Sequence, residues 1–496
     1  MHEENVPGQK EYMDGSEQQL SWQSYSSSTS DDRDGRPNGL NSGDTSSAWQ
    51  PHWLEPSDSD RLTQPEDTGE LPDVDYHEDG EWRENDWWFT IWEDFWPRYT
   101  PFLAARGYHV SVPGSPQWRL RSSDEDPAPE VLPIWQEIQP LPFPTRLWFN
   151  ERRDSASHGR AEVKRTVKYC RDAKGRHVAI KVVIQGSPEH QVFERLLHCP
   201  ELYNPDTFPC VIPPLAIIQS PHKFCFVTMP LWSTSSVEPH TFDTVGEVFT
   251  YLECMLKGLA FLHEKRIIHA DIAERNMAVN CCIPDIEGWA YSKLREPYLR
   301  LHRLGYPGVP NAAPTPVLYA LFDFNVSTCL PISTSIRDCR RPAVELFWGS
   351  YYRPDADCGM GEYDFDPFSA DVASVGGMWL YCLPDLAATV PMLAPLLAKM
   401  VTHIPSARFT AAEALTYLSE CTAYLSADVL ARPLPKMEKQ YETTDWWGKL
   451  CPSDRLRWKL YAVPPRSWGF WLCDWMFRKI PYLWTAVAFV RDVLRI

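Results

Sequence analysis

The chain has 496 residues, 44% of them apolar, enough for two or three structural units around a sizeable core. Its 66 Asp and Glu outnumber 48 Lys and Arg, and the formal charge of -18 argues against a nucleic-acid partner, whose phosphates need clustered cations. All 14 cysteines lie at or after Cys170 with no CxxC pair, and Met1-His-Glu-Glu-Asn is too polar to open a signal peptide, so an intracellular, cytoplasmic setting with free thiols is expected.

Residues 1 to about 75 are rich in Ser, Asp, Gly and Pro with little apolar periodicity, and are expected to be disordered. From 76 to 150 the chain becomes Trp-rich, with Trp87-Trp-Phe-Thr-Ile-Trp92 and Phe95-Trp96. An aromatic strap buried against the next domain is the expectation for it, ahead of a docking or regulatory segment. Between Val163 and Ile184 the pattern reads as two strands around Asp172-Ala-Lys-Gly175, with Lys181 inside the second. A helix is predicted from Pro188 to Leu197, followed by an apolar run from Val211 to Ile218 and a strand from Phe224 to Met229, so 151–232 reads as a small β-rich unit. From Thr244 to His263, Val245, Val248, Phe249, Leu252, Met255, Leu256, Leu259 and Leu262 recur at three- and four-residue spacing and predict an amphipathic helix. Helices predicted for Ser369 to Leu383, Val390 to Val401 and Ala411 to Leu425 make 233–430 a mainly helical second unit. Residues 431–496 form an aromatic C-terminal extension.

Three motifs fall on these elements in one order: Val178-Ala-Ile-Lys181 in a strand, His269-Ala-Asp271-Ile-Ala-Glu-Arg-Asn276 after an apolar run, and Leu321-Phe-Asp323-Phe-Asn325. Taken singly, each charged residue has a plain structural reading, since a strand Lys usually snorkels and an Asp or Asn after a helix usually forms a turn or a cap. Together and in order they point to phosphoryl transfer. That reaction needs groups that position a hydroxyl, hold Mg2+ and offset charge on the transferring oxygens. Asp271 is the candidate base. Asn276 and Asp323 offer the oxygen donors a hard cation demands. Lys181 would hold the α and β phosphates of ATP and needs a carboxylate partner. Glu189 is preferred, because apolar residues follow it at three, four and seven positions, and Glu194 is the fallback.

From Val163 to Leu425 the chain resembles the eukaryotic protein kinase superfamily. Phe368-Ser-Ala-Asp371-Val-Ala-Ser-Val-Gly376 is similar to the kinase αF segment, whose Asp holds the catalytic-loop backbone. Pro405-Ser-Ala-Arg408 is similar to the closing motif, in which the Arg pairs with an acid at the end of the activation segment; Asp355 is the candidate acid. The resemblance implies an α+β, bilobal protein-kinase-like fold and an ATP-dependent kinase that acts with Mg2+ on a protein hydroxyl. It implies Asp271, Lys181 and Glu189 as catalytic residues, and Lys181, Asn276, Asp323, Met229 and Leu231 as nucleotide-binding residues. Asn276 and Asp323 are the implied metal ligands, and a protein is the implied substrate or partner. A narrower resemblance is to the divergent protein-kinase-like proteins of mushroom-forming fungi. It rests on Pro101-Phe-Leu-Ala-Ala-Arg106-Gly-Tyr108, on Tyr363-Asp-Phe-Asp-Pro-Phe368, and on the 47 positions from Asn276 to Asp323, where ordinary kinases have roughly a dozen. An insert from Cys281 to Pro316 fills that interval and is expected to fold over the surface.

The chain departs from the kinase pattern at several places. Between Ser155 and Gly175 only Gly159 and Gly175 occur, so no GxGxxG loop precedes Lys181. Ala270 stands where kinases carry the HRD Arg, and Asn325 where they carry the DFG Gly; Asn tolerates the left-handed backbone expected there. Ala273 and Arg275 lie closer to the tyrosine-kinase pattern and leave the acceptor type open. The missing loop motivates the alternative of a pseudokinase acting as an interaction scaffold. For the tail from Trp446 to Ile496 the longest uncharged run, Ile480 to Val490, has 11 residues, well short of the roughly 20 a spanning helix needs. A strap packed on the lobes is the expectation, with interfacial membrane contact as the alternative.

Overall fold

The structure, a computed structural model, describes residues 52–54, 87–110, 166–173, 177–204, 206–232, 242, 244–280, 317–345, 358–383, 385–434 and 447–495. The N-terminal tail apart from 52–54, the Gly159 and Gly175 positions, the insert 281–316 and Asp355 lie outside the described residues. The protein is of mixed α/β type, with a small sheet ahead of a mainly helical C-terminal part.

The sheet is built on β1 (His52–Leu54), β2 (His109–Val110), β3 (Val167–Arg171), β4 (His177–Ile184), β5 (Ala216–Gln219) and β6 (Phe224–Pro230), in the order β1-β5-β6-β4-β3-β2. β1 runs parallel to β5, and the other pairings are antiparallel. The near-continuous apolar sequences of β4 and β6 suit strands covered on both faces. Alternation along β4 then separates two sets of side chains. Val178, Ile180 and Val182 face α1 (Trp87–Ala104) and pack with its Phe95, Trp96, Tyr99, Phe102 and Leu103. Phe224 and Phe226 of β6 join them in an aromatic cluster with ring centroids 5.4–6.4 Å apart. The Trp-rich helix is thus a strap buried on the sheet, and its Pro97 and Pro101 lie on the exposed side. Lys181 shares the opposite face with Ala179 and Val183.

Helix α2 (Pro188–Leu197) covers that second face through Val192, Phe193 and Leu196. Ser187 caps it by accepting from the His190 N-H, and Pro188 sits in the first turn, where its missing donor is harmless. The apolar run Val211 to Ile218 is a strand only from Ala216, because Pro213 and Pro214 have no N-H to give to a ladder.

The helical part is organised around α3 (Val245–Glu264), capped by Thr244 and buried along Val248, Leu252, Met255, Leu259 and Leu262. Gly258 on α3 is a point of close approach: a Cβ there would lie 2.6 Å from the Cys210 carbonyl oxygen. The segment at Cys210 pairs with β9 (Tyr319–Leu321), Leu321 N-H donating to Cys210 O at 2.9 Å. β9 also pairs antiparallel with β8 (Met277–Val279). Two further short pairs join β7 (Ile267–Ile268) to β10 (Thr328–Cys329) and β11 (Arg341–Pro342) to β12 (Asp364–Phe365). α4 (Pro367–Cys382) follows, with α5 (Leu386–Thr389), α6 (Ala394–Val401), α7 (Ala411–Tyr424) and α8 (Ala427–Leu430). The helix expected from Val390 begins only at Ala394, after a 3-10 turn over Pro391–Leu393.

The C-terminal extension divides in two. Trp447, Leu450 and Trp458 pack on the main core. Beyond α9 (Pro452–Arg457), however, α10 (Trp468–Lys479) and α11 (Leu483–Leu494) bury no residue. The expected strap is not fully packed here: Phe470, Met476, Phe477, Leu483 and Val487 are half-buried, while Trp468, Trp471, Trp475, Trp484 and Phe489 remain exposed. Among the described residues no helix is long and apolar enough to cross a membrane.

Candidate functional site

The site is assembled where the helix-facing side of the sheet meets the β8–β9 pair. Lys181, on the α2 side of β4, is 6% exposed. Its Nζ is paired with Glu189 in the first turn of α2 and lies 3.0 Å from Asp323 Oδ1. A buried ammonium needs such partners, since an unpaired one would carry its full desolvation penalty. The fallback Glu194 does not reach Lys181; it lies 3.5 Å from His190 on the more exposed side of α2.

Asn276 and Asp323 are brought to one end of the β8–β9 pair, because one precedes β8 and the other follows β9. The Phe322 N-H donates to Asn276 O at 3.1 Å and closes that end. Asn276 Nδ2 donates to Asp271 O at 2.7 Å and to Asp271 Oδ2 at 2.8 Å, turning the amide oxygen away from Asp271. One guanidinium nitrogen of Arg275 contacts both Asp271 oxygens, at 2.9 and 3.0 Å. That cation is half exposed, so water screens the pair.

The loop that presents Asp271 is fixed by Asp371 of α4. Its Oδ2 accepts from the His269 N-H and its Oδ1 from the Ala270 N-H, both at 2.9 Å, while His263 Nε2 stands 3.1 Å from Oδ2. Those backbone bonds hold Ala270 at φ 67°, a left-handed conformation a residue with a Cβ seldom adopts. His269 Nε2 meets Phe322 O at 3.1 Å, Nδ1 accepts from the Asp271 N-H at 3.3 Å, and Ser327 Oγ donates to His269 O at 2.8 Å. Burial holds the His269 imidazole below its usual pKa, against the opposing pull of Asp371 and Asp271. A neutral ring with its proton on Nε2 satisfies both contacts.

Asp323 itself is left-handed, at φ 69°. Asn325, where the sequence suggests that conformation, does not adopt a positive φ; the strain sits on the carboxylate that reaches Lys181. Phe324 turns inward beside Phe193 of α2 and His269, with centroids at 5.6 and 5.7 Å. Met229, at the end of β6, and Leu231 just after it are both buried, and Met229 belongs to the main core. Arg408 is buried and donates to Thr402 O at 2.7 Å and to Ser369 O at 3.3 Å.

Two participants have no signal in the sequence. Arg195 on α2 donates to the carbonyls of Lys265 at 2.9 Å and Leu330 at 2.7 Å, tying the helix that carries Glu189 to the segments flanking the His269 loop. His263 supports Asp371 from α3. Both act through contacts between residues more than 60 positions apart, which no local pattern encodes.

These elements define a mixed α/β protein with a buried lysine-carboxylate cluster beside a carboxylate-bearing loop. No protein-family model matches the chain, and no curated protein matches it significantly.

Proposed function

We propose that this chain is an ATP-dependent protein kinase of bilobal, protein-kinase-like fold that transfers the γ-phosphate of ATP to a protein hydroxyl. The observation that carries the reading is Lys181 held between Glu189, eight positions on, and Asp323, 142 positions on, so that two of the three motifs meet at one ammonium. A lysine fixed in this way presents an ammonium to the α and β phosphates. Asn276 and Asp323 would hold Mg2+; one neutral and one anionic oxygen at the same end of a β-pair fit a cation that takes one or two protein ligands and fills its shell with water and phosphate. The metal, when bound, supplies positive charge against the phosphate oxygens. Asp271, held by Asp371 through the loop backbone, orients the acceptor hydroxyl and takes its proton as the new O-P bond forms and the bond to the ADP oxygen breaks. Met229 and Leu231 would flank the adenine of ATP.

Calorimetry on the full-length protein with ATP and Mg2+, paired with a transfer assay to itself and to a generic acceptor, tests this. Lys181→Met should weaken ATP binding at least tenfold, and Asp271→Asn should abolish transfer while leaving binding intact. Undiminished transfer by Asp271→Asn would sink the assignment. The scaffold reading is favoured by Arg275, whose guanidinium occupies both oxygens of Asp271; ATP binding with no transfer to any acceptor would select it.

A further inference from the structure

The stretch 447–496 differs from the rest of the chain in two independent respects. It holds nine Lys and Arg against three Asp, a net charge of +6 within a chain of -18. It also concentrates exposed apolar surface: of the 19 large hydrophobic side chains exposed among the described residues, 13 lie between Leu456 and Leu494. Single exposed apolar residues are ordinary on a protein surface, but a contiguous set marks a place where something binds.

The exposed residues are patterned. On α10, Trp468, Trp471, Leu472 and Trp475 recur at i, i+3, i+4 and i+7 and form one stripe, with exposures of 78, 58, 40 and 56%. On α11, Phe489, Val490, Val493 and Leu494 fall at i, i+1, i+4 and i+5 and share one side near its C-terminal end. Each helix has only 12 residues, a length at which a helix in water is marginal without an apolar face to bury. α11 is nevertheless moored to the body. Arg491 donates to Met360 O at 3.2 Å, and Ala488 lies so close to Gly361 that a Cβ on that glycine would sit 3.1 Å from it. This mooring fixes the pair in place and leaves both stripes facing away.

We infer that α10 and α11 form a peripheral docking element for an anionic lipid surface, the helices lying in the headgroup plane. Trp and Tyr are suited to that depth because one end of each ring system is apolar and the other can hydrogen-bond. Exposed Arg455, Arg457, Lys459, Lys479 and Arg495 supply the charge complementary to acidic headgroups. Pairing with a second copy of the tail would bring two like-charged surfaces of +6 together, which favours lipid as the occupant. The helices are too short to span. The inference does not depend on the kinase reading.

Sedimentation of the full-length protein with vesicles tests it. Vesicles of equal parts phosphatidylcholine and phosphatidylserine should pellet the protein, phosphatidylcholine alone should not, and added salt should release it. Replacing both Trp471 and Trp475 with Ser should weaken binding by about tenfold or more, from the apolar area withdrawn. Lys479→Glu should weaken it by roughly five- to thirty-fold, from the loss and reversal of one surface charge. Because these side chains are exposed, thermal unfolding of the variants should match the parent and so separates lost docking from lost fold. Failure to pellet with either vesicle, equal pelleting with both, or unchanged pelleting of the double Trp variant would overturn the inference. A concentration-dependent dimer abolished by the same Trp substitutions, with no lipid binding, would overturn it in favour of self-association.

Discussion

Two carboxylates five positions apart on α4 illustrate how placement decides behaviour. Asp371 receives two backbone N-H groups and the His263 ring. Asp366, the N-cap of the same helix, accepts from the Ser369 N-H at 3.1 Å and has Arg340 only at 3.6 Å. Burial pushes its pKa up from 3.8 to about 6, against the Ser369 N-H and the nearby cations. Between those values the folded protein binds more protons than the unfolded chain, so this residue's contribution to stability is full below pH 3.8 and is lost as pH rises through about 6. Asp366→Asn should therefore unfold like the parent at pH 3.5 and be more stable at pH 7, by on the order of 2 kcal/mol, as read from urea midpoints. The helix expected from Ser369 starts at Pro367, behind the Asp366 cap. The desolvation of Asp366 has no signal in the sequence, because it comes from surroundings supplied by distant segments.

At the scale of elements, α2 was readable: the helix expected from about Pro188 to Leu197 is observed there, since its Ser cap, first-turn Pro and apolar spacing are all local. The choice of Glu189 over Glu194 was readable for the same reason, as the apolar face sets which carboxylate turns toward β4. What the sequence could not convey is how α2 is held in register with the His269 loop. Arg195 does this through two carbonyls. Arg195→Ala should speed amide exchange across Pro188–Leu197 and destabilise the protein by about 2–3 kcal/mol, the worth of charge-assisted bonds to carbonyls left unpaired. Exchange unchanged in that helix would show that apolar packing alone fixes it. The C-terminal helices show the converse: only an aromatic extension was legible there in the sequence, and the mooring of α11 at Gly361 and Arg491 depends on a partner segment over 120 positions away.

Across the whole molecule, the sheet depends on α1 for one of its two faces. Trp96, 2% exposed, lies at the centre of that contact, and Trp96→Ala should cost about 3–5 kcal/mol in a denaturant titration. The Trp-rich composition indicated burial, although nothing in it named the face that would be covered. The partners are also far apart along the chain: α1 ends at Ala104, and the last strand it covers ends at Pro230, 126 positions later. During synthesis at about 5–20 residues per second, the aromatic side of α1 is made roughly 6–25 s before its sheet is complete. For that interval the nascent chain presents a sticky surface to its surroundings, so its yield in a cell should depend on holdase chaperones that occupy the helix until β6 emerges.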